Sequence, residues 1–284
     1  MNHPPAFLVL DASPAPPEKA RFEIIPAPLE KSVSYGGGTA DGPARLLEAS
    51  RHLEALDGGN VPAEAGIYTG PAVDCTPDTA TVLTAIRRRV AAALVGGRVP
   101  IVLGGEHTVT IGAVEAFAAA GAPFGVVQFD AHADLRNRYE DNAFSHACVM
   151  RRIAERGIPI FQVGVRSLSA AEAAFRQAHG VPYRDAEDLA RSGHQPLALP
   201  PGFPPRVYLT FDVDAFDPAV MPGTGTPEPG GLFWYDALRL IGDVLDHRQL
   251  VGFDVVELAP VAGSQVSEFT AAKLVYRLMA AALP

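Results

Sequence analysis

The chain has 284 residues, of which 48% are hydrophobic, so it is long and apolar enough to build one large α/β domain or two ordinary ones. Its formal net charge of −9 argues against a nucleic acid or an anionic membrane surface as partner and mildly favours a cationic substrate. Two cysteines without CxxC spacing, Cys75 and Cys148, argue against a disulfide framework, and we find no signal-peptide pattern and no apolar run of membrane-spanning length, which together favour a cytoplasmic protein.

Strands and helices alternate along the chain. The sequence predicts strands at 7–10, 99–103, 124–129, 160–165, 207–211 and 249–257. Helical patterns are predicted at 43–56, 79–95, 108–120, 147–156, 169–179, 234–246 and 267–282. Loops rich in Pro or Gly are expected at 12–19, 34–42 and 193–205. No stretch has the character of an interdomain linker, so we expect a single domain over residues 1–284, with a parallel sheet and helices on both of its faces.

Two clusters rich in Asp follow predicted strands. The first is Asp130-Ala131-His132-Ala133-Asp134, and the second is Asp212-Val213-Asp214. Because side chains alternate along an extended chain, we expect the polar side chains within each cluster to converge. Carboxylates crowded at the end of a sheet repel one another unless a cation lies between them. A donor set of carboxylate and imidazole favours Mn, Fe, Co or Zn over Ca.

A third candidate ligand is His107, which closes the sequence Gly104-Gly105-Glu106-His107 after a predicted strand. The paired glycines allow backbone to approach another segment closely. Together with the clusters, His107 makes six candidate ligands, too many for one catalytic metal with an open position but suited to two metals that share carboxylates. Plainer interpretations of these acids are helix caps, turns or a ribose-binding acid, but the glycine-rich fingerprint of the last is missing.

These motifs resemble those of the ureohydrolases, the arginase and agmatinase family. The resemblance covers nearly the whole chain and rests on 104–107, 130–134 and the run from Phe211 to Gly231. The stretch 139–152, with Ser145-His146-Ala147, is most similar to the agmatinase branch. The resemblance implies an arginase-like, three-layer α/β/α fold with a mainly parallel central sheet, and assembly into a homotrimer or homohexamer.

The resemblance also implies a site for two Mn²⁺ ions per chain. One ion would be bound by His107, Asp130, Asp134 and Asp212, and the other by Asp130, His132, Asp212 and Asp214. In the similar enzymes, hydroxide held between the metals attacks the guanidinium carbon. That chemistry needs a strong nucleophile, because a guanidinium is a resonance-stabilised and poor electrophile, and metal coordination lowers the pKa of water to about 7.

Three residues would carry catalysis by the same resemblance. Asp130 would bridge the metals, and His146 would shuttle a proton to the leaving amine. Glu257, at the end of the strand 249–257, would bind the guanidinium through paired hydrogen bonds. Without the resemblance, His146 would be an ordinary residue at a helix start, and Glu257 would be a surface or ion-paired acid.

The predicted substrate is agmatine, split into putrescine and urea. Arg136 stands where arginases carry an Asn that holds the α-carboxylate, although Arg136 could itself bind a carboxylate. After Pro260 no acid follows until Glu268, so the loop expected to meet an ammonium tail is atypical. Arginine and 4-guanidinobutyrate therefore stay open as substrates.

Two functions of other classes also stay open. A metal-dependent deacetylase shares the general architecture, uses one Zn²⁺ with Asp-His-Asp ligands and does not need His107. A non-catalytic metal-binding or assembly protein would keep the ligands but release no urea. Counting metals and assaying urea release separate the three.

Overall fold

The computed structural model describes residues 6–8, 14–193 and 195–283. The strands in these ranges are Phe22–Ala27 (β1), Ile67–Thr69 (β2), Val99–Gly104 (β3), Gly125–Phe129 (β4), Ile160–Val163 (β5), Tyr183–Arg184 (β6), Arg206–Asp212 (β7) and Gln249–Val256 (β8). They form one sheet in the order β2-β1-β3-β8-β7-β4-β5-β6, and every pairing is parallel. The predicted parallel sheet is confirmed.

Helices cover both faces of this sheet. Their bounds are Gly42–Ser50 (α1), Thr79–Val95 (α2), Val109–Ala120 (α3), Val149–Ala154 (α4), Ala170–Ala178 (α5), Ala186–Ser192 (α6), Trp234–Leu245 (α7) and Val266–Ala281 (α8). One apolar core lies under α1, α7 and α8, and a second lies under α2 to α5 on the opposite face. The predicted three-layer α/β/α fold is therefore confirmed.

The predicted first strand at 7–10 is wrong where it can be compared. Phe7 and Leu8 lie in irregular backbone, and residues 9 and 10 fall outside the described ranges. The first strand in the described ranges is β1. The sequence does not predict it, because Glu23 and Pro26 are residue types that strands disfavour. Glu23 is tolerated in the sheet because Arg98 Nε donates a hydrogen bond of 2.7 Å to its carboxylate.

Other differences concern short elements and helix ends. The sequence does not predict β2, β6 or α6. A strand of two or three residues has no detectable alternation, and α6 is a helix of only seven residues. The helix predicted at 43–56 ends at Ser50, and the one predicted at 147–156 is reduced to α4 after a 3-10 turn, His146–Cys148. The remaining predicted helices agree to within one residue at each end. In the ranges that the structure describes, no helix has the length and apolar character to cross a bilayer.

Candidate metal centre

Four neighbouring strands at the middle of the sheet, β3, β8, β7 and β4, end at the same edge. His107 lies shortly after β3, and Asp130 directly follows β4. Asp212 is the last residue of β7, and Glu257 directly follows β8. Parallel strands of an α/β sheet gather their sites at this carboxyl edge, so the sheet order itself brings the predicted residues together.

One group of potential ligands surrounds the His107 ring. Its Nδ1 lies 3.0 Å from an oxygen of Asp134, 3.2 Å from one of Asp130 and 3.5 Å from one of Asp212. Nitrogen and oxygen ligands lie about 2.0–2.2 Å from a bound ion such as Zn²⁺, which places the ligands of one ion about 3–3.5 Å from each other. All three acids therefore lie at ligand spacing from His107, and His107, Asp130 and Asp212 form a set whose ligand atoms are close enough to one another to share a cation.

A second group surrounds His132, whose Nδ1 lies 2.9 Å from Asp214 Oδ2 and 3.6 Å from Asp130 Oδ1. Asp130 thus turns its two oxygens to different histidines, as a bridging carboxylate does. Asp212 directs Oδ2 to the His107 group, while its Oδ1 accepts a hydrogen bond from the backbone N–H of Asp214 at 2.9 Å. All six predicted ligands lie in one connected cluster, and two sets of three within it could hold a metal.

The backbone cause of this convergence differs from the predicted one. β4 ends at Phe129, and Asp134 lies beyond it in irregular backbone with a left-handed φ of 52°. β7 ends at Asp212, after which Val213–Ala215 form a 3-10 turn. The prediction that strand alternation makes the acids converge is therefore wrong. Loop and turn geometry directs them instead.

His107 is held in the form that a metal ligand requires. The Thr210 hydroxyl donates to Asp254 Oδ1 at 2.6 Å, so its oxygen can accept a hydrogen bond from His107 Nε2–H at 2.8 Å. This arrangement turns Nδ1 toward the acids, where it is buried without a hydrogen-bond partner among the described residues. Burial lowers the pKa of this imidazole, but the carboxylates of Asp130, Asp134 and Asp212 raise it overall well above its usual value. The site thus favours positive charge at Nδ1, and a bound cation would replace the proton there.

The shifted pKa values of the clustered Asp and His side chains also indicate that the site needs positive charge to balance its carboxylates. Burial raises the pKa of Asp134 to about 7 and the pKa of Asp212 well above its usual value. Burial opposes charge on His132, but hydrogen bonds to Asp130 and Asp214 raise the pKa of this imidazole to about 12. These groups hold protons because the acids need a counter-charge, and divalent metal would provide that charge instead.

Glu257 and His146 line a small inner cavity of about 20 Å³ whose floor is formed by the cluster. Glu257 is a buried non-glycine residue with a positive φ of 63°, and its Oε1 accepts the backbone N–H of His107 at 2.6 Å. Burial raises the pKa of its carboxyl to about 8. His146 begins the 3-10 turn before α4, and burial lowers the pKa of its imidazole. The structure thus brings both predicted residues to the cluster of candidate metal ligands.

An outer cavity of about 360 Å³ adjoins the inner one and shares His132, Asp134 and His146 with it. Arg136 lines this outer cavity, as expected for a substrate-binding residue. Its Nε lies 3.8 Å from the carboxylate of Glu172, and its guanidinium lies over the ring of Tyr139 at 5.2 Å. Glu172 therefore partly offsets the charge of Arg136 at the wall of this cavity.

Sequence reasoning assigned no role to Glu228, which also lines the outer cavity. One oxygen of its half-exposed carboxylate lies 4.0 Å from His132 Nε2. Glu228 thus places an acid at this cavity from a different loop, whereas Glu268 is buried in the first turn of α8 and lines neither cavity. The sequence does offer one indication of Glu228, because this acid lies within the segment from Phe211 to Gly231 on which the family resemblance rests.

Comparison with known sequences shows what the chain is similar to. The model of the arginase family matches residues 20–281. A protein named N(1)-aminopropylagmatine ureohydrolase from Synechocystis sp. is 40% identical over 270 residues, which cover 92% of this chain and 88% of that protein. An agmatinase from Pyrococcus horikoshii is 31% identical over 271 residues, covering 90% of each.

Solved structures show the same relationship. The agmatine ureohydrolase of Thermoplasma volcanium matches with a TM-score of 0.83 and 30% identity, over 94% of this chain and 92% of that one. An arginase from Medicago truncatula matches with a TM-score of 0.83 and 29% identity, over 93% and 88% of the two chains.

Proposed function

Because the chain belongs to the arginase family, a family of ureohydrolases, we propose that it hydrolyses the guanidinium group of a small cationic amine and releases urea. The observation that carries this proposal is the placement of Asp130 between His107 and His132, two histidines that line one cavity together with Glu257. A linked pair of ligand groups suits two-metal hydrolysis, and an acid in the cavity suits a cationic substrate.

Two Mn²⁺ ions are the proposed cofactor. The first would be held by His107, Asp130, Asp134 and Asp212, and the second by Asp130, His132, Asp212 and Asp214. When bound, they would lower the pKa of water to about 7 and so supply a nucleophile at neutral pH. Substrate binding and proton transfer remain for the side chains of the chain itself.

Glu257 is proposed to bind the guanidinium. Because its Oε1 accepts the N–H of His107, its Oε2 remains available to a guanidinium N–H. A raised pKa of about 8 means that the free carboxyl is largely protonated at neutral pH, and a cationic partner would favour the carboxylate. Binding would hold the guanidinium carbon over the acidic cluster in the orientation that reaction needs.

His146 is proposed to carry the proton. Burial lowers its pKa, so the ring is neutral at pH 7 and can accept a proton. It lines both cavities, between the metal cluster and the space for the substrate tail. From there it would pass the proton to the leaving amine, which departs more readily once protonated.

The outer cavity supports a substrate whose tail ends in an ammonium rather than a carboxylate. The charge of Arg136 is offset by Glu172, whereas Glu228 has its carboxylate half-exposed at the cavity wall. An ammonium would gain from Glu228, and a carboxylate would be repelled by it. Agmatine, split into putrescine and urea, is accordingly the proposed substrate.

A longer amine is the second candidate. N1-aminopropylagmatine carries an additional propylamine group beyond the tail of agmatine. An outer cavity of about 360 Å³ has room for such an extension, and the relative from Synechocystis sp. is named for hydrolysis of this compound.

The test is urea release from the Mn²⁺-loaded protein with four substrates: agmatine, N1-aminopropylagmatine, arginine and 4-guanidinobutyrate. We expect kcat/KM for at least one of the two amines to exceed that for both acids by about tenfold, which corresponds to about 1.4 kcal/mol. Glu228→Gln should narrow this gap. A preference for either acid would overturn the proposed tail specificity, and Arg136→Ala should then erase that preference. No urea from any substrate would refute the proposed function.

Assembly is a separate proposal. The resemblance to trimeric and hexameric enzymes supports a homotrimer or homohexamer, and light scattering of the Mn²⁺-loaded protein tests it. A monomeric mass would contradict the proposal.

A further inference from the structure

Glu106 belongs to the glycine-rich motif but has no part in the proposed reaction. Its side chain is fully buried, and its Oε2 accepts the backbone N–H groups of Lys31 at 2.7 Å and Ser32 at 2.6 Å. The two segments can approach because Gly105 has no side chain, since a Cβ there would lie 2.1 Å from the carbonyl oxygen of Leu29. Short hydrogen bonds to a carboxylate are strong, so Glu106 fixes the backbone of Ser32.

Ser32 in turn contacts His146 at two atoms. Its Oγ accepts the backbone N–H of His146 at 3.0 Å and lies 3.2 Å from the ring Nδ1. A hydroxyl can donate one hydrogen bond and accept two. Ser32 Oγ can therefore accept from the backbone N–H and from Nδ1–H of His146 at the same time. With its ring proton held on Nδ1, the neutral imidazole keeps a lone pair on Nε2 that can take up a proton, and the protonated ring keeps the same contact with Ser32.

Ser145 is a weaker candidate for the same task. Its Oγ lies 3.3 Å from Nδ1 of His146, but it is the chain neighbour of His146 and has no link to Glu106. Ser32 joins His146 across 114 positions of sequence and is itself held by a buried carboxylate. Of these two serines, Ser32 is the one that ties the ring to the segment after β3, which also bears His107.

We propose that Glu106 and Ser32 are positioning residues for His146. Glu106 holds the backbone of Ser32, and the Ser32 hydroxyl holds the imidazole so that Nε2 serves the cavity in both protonation states. The effect on turnover rests on the proposed function, whereas the placement of the ring rests on these contacts alone.

Kinetics of Ser32→Ala and Ser32→Thr test the effect on turnover. A misplaced proton carrier costs about 10- to 100-fold in rate, so Ser32→Ala should lower kcat by that factor, with KM and metal content little changed. Ser32→Thr keeps the hydroxyl and should recover most of the loss. The matched control is Ser192→Ala on α6, where the hydroxyl donates to the carbonyl of Leu189, and its kcat should equal that of the wild type.

Glu106→Gln tests whether Glu106 acts by holding the backbone of Ser32 or through its negative charge. The amide oxygen of Gln can still accept both N–H groups, so kcat should fall less than in Ser32→Ala. Unchanged kcat in Ser32→Ala, a loss that Ser32→Thr does not recover, or a rise in KM alone would overturn the positioning role. If Ser32→Ala does not fold, the comparison of Ser32→Thr and Glu106→Gln with the wild type decides, and a large loss in Ser32→Thr would refute the role of the hydroxyl.

A second readout does not depend on activity. In protein loaded with diamagnetic Zn²⁺, the ¹⁵N NMR signals of the His146 ring are assigned by their absence in His146→Asn. Ser32→Ala should shift them, and Ser192→Ala should not. Unshifted signals would overturn the placement of the ring. A wild-type protein that releases no urea from any guanidino amine would instead refute the proposed function and leave this result intact.

Discussion

Replacing Thr210 with valine should weaken metal binding through a residue that does not itself touch the metal. The Thr210 hydroxyl accepts from His107 Nε2 at 2.8 Å and donates to Asp254 Oδ1 at 2.6 Å. Valine keeps the shape of threonine and removes both bonds. His107 would then lose the contact that keeps its proton on Nε2 and its Nδ1 lone pair toward the acids.

The magnitude follows mainly from His107, which is fully buried and would lose the partner of Nε2–H. Asp254 would lose one hydrogen bond at Oδ1 but would keep those that Thr110 and Tyr208 donate to Oδ2. An unsatisfied buried group costs about 1–3 kcal/mol, so the free energy of unfolding of the metal-free protein should fall by about that amount for His107, plus a smaller contribution from Asp254. Removing a hydrogen-bond partner of a metal ligand lowers metal affinity by about 10- to 100-fold.

Thr110→Val is the matched control. The Thr110 hydroxyl donates to the same carboxylate, at Asp254 Oδ2 and 2.8 Å, but makes no hydrogen bond to His107. It should lose stability in urea denaturation but keep near wild-type metal affinity, measured by competition with a chelator. Equal losses of affinity in the two variants, or wild-type affinity in Thr210→Val, would refute the role of Thr210.

Three further outcomes follow from the same contacts. Glu257→Gln should lower kcat/KM because the guanidinium loses its buried charge partner. The decrease should correspond to a loss of about 2–5 kcal/mol in transition-state binding free energy. A decrease in kcat/KM of less than about tenfold would count against this role. Because burial lowers the pKa of His146 from 6.5, kcat should fall as the pH drops through that lower pKa, and His146→Asn should lower kcat and remove this limb without loss of metal, as pH–rate profiles and elemental analysis would reveal. Burial would raise the pKa of Glu30, but hydrogen bonds from Ala40, Gly38 and Thr39 lower it overall from 4.5, so its stabilising contribution is present above that pH and lost as the pH falls through the folded-state pKa. The thermal midpoint of Glu30→Gln should therefore depend less on pH in this acid range, and an unaltered pH dependence would show that the hydrogen bonds to Glu30 do not matter.

The sequence predicts the architecture well where the apolar pattern is clean. Five of the predicted strands, at 99–103, 124–129, 160–165, 207–211 and 249–257, lie in the sheet, and each is predictable because most of its residues are apolar. β1 is not predicted because Glu23 and Pro26 interrupt its pattern, and contacts with Arg98 and Arg89 make the buried Glu23 acceptable. Local sequence does not reveal a partner that lies 75 positions away.

The candidate site likewise has a part that the sequence predicts and a part that it does not. The metal-ligand candidates are predictable because Asp and His recur at short spacing after apolar strands, even though loop geometry rather than strand alternation makes them converge. The supporting contacts are not predictable, since they join distant parts of the chain. Thr210 lies 103 positions from His107, and Ser32 lies 114 positions from His146. The parallel order of β3, β8, β7 and β4 brings Thr210 to His107, and the hydrogen bonds of Lys31 and Ser32 to Glu106 hold Ser32 near His146.

Titration of the metal-free protein with Mn²⁺, followed by urea release from agmatine, tests the central claim most directly. The arrangement of Asp130 between His107 and His132 supports two ions per chain, so activity should rise until two equivalents are bound and then stay constant. A plateau at one equivalent would contradict the two-metal site, and the absence of urea at any Mn²⁺ concentration would contradict the proposed hydrolysis of agmatine.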